Sequence, residues 1–311
     1  MIPNVAHFIW FGDALPWVHR AAMRSAAQAG QFARVVLHHE PSLNSKELAE
    51  LRAQAGFEAR TLEPDQLFRR AGVDPRALQQ LYARLVQPAA RANLMRAVIL
   101  AAEGGVYLDM DTVSVAPFAP LLGAEVFCGA ERVVFPAQLL QHGTIPETAR
   151  AYGLTLLRDL MRRLPNGYQL FRRVEAWYAL APNNAVLGTR ANHPFMLALL
   201  DGMLRMGRER QLQRYALGTH LLQETTSKFR GHGLVVHPPA VFYPLGPEIS
   251  QHWFRIRRHV NLSSVLLPDT RLVHWYASVR TRRLVPQIDP AYVRRYEHRQ
   301  LLSALLRPYA D

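Results

Sequence analysis

Cysteine is almost absent from this chain. Cys128 is the single one, so no intramolecular disulfide can form, and a reducing compartment suits the protein. Long apolar runs are missing too: none reaches the ~20 residues that a membrane-spanning helix needs. The opening MIPNVAHFIW has no basic start and no small-residue cleavage site, so no secretory signal is expected. No cysteine–histidine zinc spacing and no aromatic-rich RNA-binding signature occur, and no specific nucleic-acid partner is expected. Internal repeats, Ser/Gly linkers and low-complexity tracts are also lacking, which leaves no boundary at which to divide residues 1–311 into separate domains. These absences describe a cytoplasmic protein of one domain.

What is present is an ordinary globular composition, 49% hydrophobic and 20% charged over 311 residues, enough to bury a large core. The charge is less ordinary. A net +13 with a pI near 10.5 calls for an anionic partner, although charge alone also serves solubility. Basic residues gather toward the C-terminus in RIRRHVN (255–261) and SVRTRRLV (278–285). A phosphate-bearing ligand or a peripheral contact with an anionic membrane face fits them better than nucleic acid.

The hydrophobic pattern predicts an α/β protein. Val5 to Phe11 reads as a first strand, Pro16 opens a helix to about Ala29, and ARVVLHHEP carries a second strand centred on Val35 to Leu37. Ser45 to Ala55 has helical spacing, with Ser45 as N-cap and Gly56 as the stop. A long apolar helix is expected from Pro88 to Glu103, ended by Gly104-Gly105. Asn93 and Arg96 sit in it three residues apart, hence on one face, and a buried guanidinium needs a partner. Farther on, Arg158 to Leu164 and Tyr168 to Ala179 are candidate helices, and Val235 to Val241 and Thr270 to Tyr276 candidate strands.

The stretch GGVYLDMD (104–111) places two carboxylates at the end of an apolar run. If the strand runs on past Leu108, period two puts Tyr107, Asp109 and Asp111 on one side, the two acids roughly 7 Å apart along the backbone. Two unpaired acids so placed repel each other. A hard divalent cation, Mg²⁺ or Mn²⁺, relieves that repulsion and completes its shell with water and phosphate oxygens. Two chemistries use such a pair. One is a haloacid-dehalogenase-type phosphatase with Asp109 as nucleophile and Asp111 as acid/base. The other is a nucleotide-sugar transferase whose metal bridges the acids to a diphosphate. The phosphatase needs a later lysine followed by an acidic pair, whereas Lys228 is the only lysine after Asp111 and no such pair follows it. A third reading is a non-catalytic basic protein that binds membrane or nucleic acid through its C-terminal arginines.

Several segments in order resemble the DXD-containing sugar-binding glycosyltransferases. These include initiating mannosyltransferases, α-1,4-N-acetylglucosaminyltransferases and, more distantly, the clostridial glucosylating toxins. VAHFIWFG is similar to their first strand and ANLMRAVILAAEGGVYLDMD to their helix, Gly-Gly turn and D-x-D strand. APNNAVLGTRANHPF (181–195) is similar to their asparagine-bearing segment, and LVHWYASV (272–279) to their C-terminal His-Trp-x-x-Ser element.

The resemblance implies a GT-A fold: a nucleotide-binding α/β domain with a mostly parallel mixed central sheet and a helical insertion or covering layer. Residues 1–122 would be the nucleotide-sugar half, and 123–311 the helical and acceptor-side half. It implies a retaining transferase that uses Mn²⁺ or Mg²⁺ and a nucleotide-diphosphate sugar. UDP-sugar is preferred, with GDP-mannose the other donor, and the acceptor is a glycan, a lipid-linked group or a protein. By resemblance Asp109, Asp111 and Arg96 are catalytic, with Asp109, Asp111 and His274 as metal ligands. Trp10 stacks on the nucleobase. Asn93, Arg96, Tyr107, Asp109, Asn184 and Ser278 contact the donor. Asn183 is an acceptor- or sugar-side candidate, and Asn192 and His193 belong to a turn before Pro194. This chain departs from the family in having Asn93 where aspartate is usual, Val279 where tryptophan is frequent, and no proline after Gly218. Export as an effector without a cleavable signal is compatible with a protein acceptor.

Overall fold

The computed structural model describes residues 1–43, 45–229, 233–277 and 283–311, which form a mixed α/β structure. Strands β1 (Val5–Trp10) and β2 (Arg34–His39) are buried along almost their whole lengths. Apolar side chains on both faces suit adjacent parallel strands covered by helices on each side. Helix α1 (Trp17–Gln28) follows Pro16 as expected, and α2 (Ser45–Arg52) ends before the anticipated Ala55. Strand β3 (Phe57–Thr61) was not foreseen: its FEART sequence is only partly buried and shows no apolar run. Helices α3 (Pro64–Arg70) and α4 (Pro75–Arg84) lead into α5 (Pro88–Glu103), whose residues from Leu94 to Ala101 are buried.

Two glycines set the geometry after α5. Gly104 (φ 68°) ends the helix, and a Cβ there would stand 2.7 Å from the Ala191 nitrogen; Gly105 (φ 100°) opens β4 (Gly105–Leu108), and a Cβ there would strike His7 at 2.8 Å. The strand is shorter than expected. It ends at Leu108, the chain turns at Met110-Asp111, and β5 (Thr112–Ser114) leaves for a separate two-stranded sheet. Asp109 therefore precedes a turn that contains Asp111, and the two acids do not share one extended strand.

Beyond this lie β6 (Val126–Val133), the helices α6 (Ala137–His142), α7 (Ile145–Arg163) and α8 (Gly167–Val174), then β7 (Ala179–Thr189) and α9 (Pro194–Arg205). The three helices between β6 and β7 are the expected helical insertion. Helix α7 begins thirteen residues before the predicted Arg158, where the exposed, capped first turns carry no buried apolar stripe. The helix predicted to reach Ala179 stops at Val174, and Ala179 instead begins the eleven-residue β7. The later strands are short: β8 (Leu234–His237) gives way to a helical turn at Pro239–Phe242, and β9 is Leu272–His274.

Among the described residues the central sheet has seven strands in the order β3-β2-β1-β4-β7-β6-β8, all parallel to their neighbours except β7, which is antiparallel to both β4 and β6. Strands from either side of residue 122 share this sheet. The second sheet pairs β5 with β9, Thr112 opposite His274. Because β1 and β4 run in parallel, with Ala6 and His7 opposite Val106 and Tyr107, their C-terminal ends open on the same edge. Ligand sites of open α/β sheets lie at such edges.

A histidine pair lies inside this sheet. His7 Nε2 is 3.0 Å from the Gly104 carbonyl and so carries a proton, which leaves Nδ1 to accept from His38 Nε2, also at 3.0 Å. Burial holds His7 down to about 4, and burial together with His7 keeps His38 well below its ordinary value. Both rings are neutral at pH 7, and the stability that depends on this is lost as pH falls from about 6.5 toward 4. We expect unfolding free energy to drop across that window as the His7–His38 pair is forced to take up a proton. His7→Gln, which keeps a donor and cannot be protonated, should flatten the pH dependence of the urea midpoint; an unchanged slope would show that the pair does not govern it.

Candidate functional site

The site is built around the turn that follows Asp109 and contains Asp111. The Asp109 amide donates to the Ala185 carbonyl at 2.9 Å, extending the β4–β7 pairing by one residue. Thr112 Oγ1 then donates to the Asp109 carbonyl at 2.7 Å and closes the turn, while His19 of α1 bonds the Met110 carbonyl through Nδ1 at 2.8 Å. Asp111 is held from the other side. Its carbonyl accepts from the Trp275 amide at 3.0 Å, its Oδ2 from the Ala277 amide at 2.7 Å, and its Oδ1 lies 3.0 Å from His274 Nε2.

Helix α5 supplies the polar face that its spacing predicted. Arg96 is buried and its Nη2 lies 3.0 Å from Asp109 Oδ1, so the required partner is one of the paired acids. Its guanidinium also sits 4.4 Å over the Tyr107 ring and donates to the Asn184 carbonyl. The Tyr107 hydroxyl donates to the same Asp109 oxygen at 2.8 Å. Asn93, one turn earlier, accepts from Asn184 Nδ2 at 2.9 Å through its Oδ1. Gly218 closes over this pair: a Cβ there would lie 2.8 Å from Asn93 Nδ2 and 3.0 Å from Asn184 Nδ2.

These groups line one cavity of about 800 Å³, a volume within the ordinary range for small-molecule sites. Among the sequence-predicted residues, Asn93, Arg96, Tyr107, Asp109, Asp111 and His274 all face it. So do Trp10, Asn183 and Asn184, and Gly218 with the Thr219 that stands where the family has proline. Trp10 is partly exposed at the rim, its Nε1 donating to the Ala14 carbonyl at 3.0 Å and its ring 4.9 Å from that of His19. His193 is drawn elsewhere: it is buried, caps α9 by accepting from the Phe195 amide at 3.1 Å, and does not line the cavity. Ser278 and Val279 lie outside the described residues.

Glu131, Tyr276 and Glu248 are among the cavity residues that escaped the sequence reading. Glu131 on β6 is buried and accepts from the Tyr276 hydroxyl at 2.8 Å, and Tyr276 adopts a left-handed φ of 58°. Glu248 is held by the Val134 amide at 2.9 Å and by Arg158 at 2.8 Å. For Glu131 a signal was present, since VFCGAERV carries an acid in an apolar strand just as GVYLDMD does. Tyr276 and Glu248 carry no such mark, because their places depend on contacts across the fold.

Electrostatics separate the two aspartates. Burial raises the Asp109 pKa, with Arg96 opposing it and the Asp111 charge adding to the rise. Burial acts on Asp111 in the same direction, but the attraction of His274, their hydrogen bond and the Ala277 amide outweigh it and bring Asp111 down to about 2. Burial likewise works against the charged form of His274, and Asp111 reverses the balance so that its pKa is raised. One ligand atom from each of Asp109, Asp111 and His274 lies within 4.8 Å of the others, and His274 Nδ1 is buried with no hydrogen-bond partner among the described residues. Two carboxylates and an imidazole suit Mg²⁺ or Mn²⁺, the imidazole favouring Mn²⁺. The residues present fit such an ion.

Residues 28–128 match the family model described as the glycosyltransferase sugar-binding region containing a DXD motif. That match shows the family resemblance. It spans Asn93, Arg96, Tyr107, Asp109 and Asp111, and stops short of Asn184 and His274. No curated protein matches the chain. Among solved structures, the PaToxG glycosyltransferase is 13% identical over 73% of this chain and 69% of its own, with a TM-score of 0.48. The UDP-bound glycosyltransferase domain from the YGT toxin is 12% identical over 65% of this chain and 61% of its own, with a TM-score of 0.37. The galactosyltransferase LgtC in complex with donor and acceptor sugar analogs is 11% identical over 87% and 86%, with a TM-score of 0.40.

Arg96→Met would leave Asp109 without its cation and the Asn184 carbonyl without a donor. The Asp109 side chain is 24% exposed, so solvent partly compensates, and we expect a loss of about 2 kcal/mol in the urea unfolding free energy. An unchanged midpoint would mean that the pair contributes nothing to the fold.

Proposed function

We propose that this chain, residues 1–311 taken as a single GT-A domain, is a metal-dependent retaining glycosyltransferase. In this reading it moves a hexose or N-acetylhexosamine from a nucleotide-diphosphate sugar, a UDP-sugar by preference, to a glycan, lipid-linked or protein acceptor. The coarser part, a DXD-type transferase binding a nucleotide sugar, is supported by the family match over residues 28–128. The observation that carries the rest is the convergence of Asp109, Asp111 and His274 at one wall of an 800 Å³ cavity that also holds Arg96 and Trp10.

Asp109, Asp111 and His274 would hold Mn²⁺ or Mg²⁺, which when bound supplies Lewis-acid stabilisation for the charge that develops on a departing diphosphate. The protein's own groups do the rest. Arg96 favours the charged form of Asp109 against the burial that raises its pKa, and Tyr107 orients it by hydrogen bond. Asn93 and Asn184 present an amide pair to sugar or ribose hydroxyls, and the Trp10 ring offers a flat face for a base. The four cavity acids are all engaged: Asp109 by Arg96, Asp111 by Ala277 and His274, Glu131 by Tyr276, and Glu248 by Arg158. With no carboxylate left free as a nucleophile among these, retention by front-face attack is the mechanism we favour. A phosphatase reading would need a second acidic cluster, and among the described residues the metal-competent group is Asp109, Asp111 and His274.

Calorimetric titration of UDP and GDP with and without Mn²⁺ tests this reading. We expect metal-dependent micromolar binding of one nucleotide, abolished in Asp109→Asn/Asp111→Asn, and a fall in turnover of roughly a hundredfold or more in either single variant. Failure of both nucleotides to bind would sink it.

A further inference from the structure

Helix α7 turns apolar side chains to solvent. Ile145 is 87% exposed, Tyr152 62%, Leu156 73% and Leu160 56%. Successive spacings of seven, four and four residues set all four on one stripe along the helix. The polar residues are partly turned the other way: Arg158 and Arg162 reach inward to Glu248, beside the buried Ala151 and Met161. Single exposed leucines are common on protein surfaces, but a continuous stripe of this length marks an interaction face. Trp177, 54% exposed, accepts through its carbonyl from Arg150 of α7 at 2.7 Å.

The charge around the stripe selects the partner. At its C-terminal end Arg163 is exposed, and Arg255 donates to the carbonyls of Arg163 and Leu164 at 3.1 and 2.8 Å. The basic RIRRHVN segment is thereby held against the end of α7, with Ile256 and Arg258 both exposed. The acids of α7 are engaged locally: Glu147 closes the capping box with Thr144, and Asp159 pairs with Arg158 and Arg162. An apolar helix face that includes Tyr152 and has a basic end, in a chain of net charge +13, has the chemistry of a lipid-interface helix.

We propose that this face docks on an anionic lipid surface, with Tyr152, Leu156 and Leu160 buried at the acyl boundary and the arginine end on headgroup phosphates. Leu140, exposed on α6, lines the catalytic cavity, and so does Glu248, which α7 holds. Glu248 is held by the inward side of α7, so docking through the stripe leaves this helix between the lipid surface and that wall of the cavity.

Sedimentation with phosphatidylcholine vesicles and with equimolar phosphatidylcholine/phosphatidylglycerol vesicles tests the proposal. Binding to the anionic vesicles that weakens with salt is expected, and Tyr152→Ser/Leu156→Gln/Leu160→Gln should lower it by about tenfold or more. An unchanged thermal midpoint and UDP titration in the variant would show that fold and nucleotide site are intact. No binding by the parent protein overturns the proposal, as does binding that survives the triple change. A concentration-dependent dimer abolished by the same changes would assign the face to a second copy of the chain instead.

Discussion

The site depends most on the way Asp111 ties two distant segments together. Its carboxylate and carbonyl engage His274, Trp275 and Ala277, more than 160 residues later in the chain. Through these bonds the two-stranded sheet is attached to the edge of the seven-stranded one, at the point where β1 and β4 end. Without that attachment β4 would end in a turn with two acids facing water. With it, the acids are enclosed, a histidine is brought to them, and the wall of the cavity is complete.

Enclosure creates an electrostatic problem that the neighbouring elements solve in pieces. Two carboxylates in a partly dry pocket destabilise each other. Arg96 from α5 offsets one and His274 from β9 the other. These neighbours offset part of the acids' charge while leaving donors of the kind a divalent ion takes. The same economy appears at Glu131 and Glu248, buried acids each engaged by a group from a distant part of the chain. The cavity is therefore rich in acids without carrying four uncompensated charges.

Helical and strand periodicity exposed much of the first half. The apolar runs of β1, β2 and α5 are long and unambiguous, and the Gly104-Gly105 stop is a local matter of backbone sterics. The later elements were harder because their signals are weak or mixed. β7 contains Pro182 and two asparagines and does not read as a central strand, yet it pairs on both sides; α7 carries its most apolar residues outward, so periodicity placed its start too late.

For the site, the paired acids after an apolar run and the polar pair three residues apart in a buried helix were legible as pattern, while the choice of chemistry and His274 entered through the resemblance to the DXD glycosyltransferases. Which oxygen meets which cation was decided only by tertiary structure. The turn at Met110-Asp111 replaced an extended strand because Asp111 gains three bonds from the His274 to Ala277 segment, and no local propensity reports on a partner that far along the chain. Residue types and their period are local properties and can be read in order. The enclosure of Glu131 by Tyr276, the approach of Gly218 to the asparagine pair and the outward apolar face of α7 are long-range, and only the folded chain brings them about.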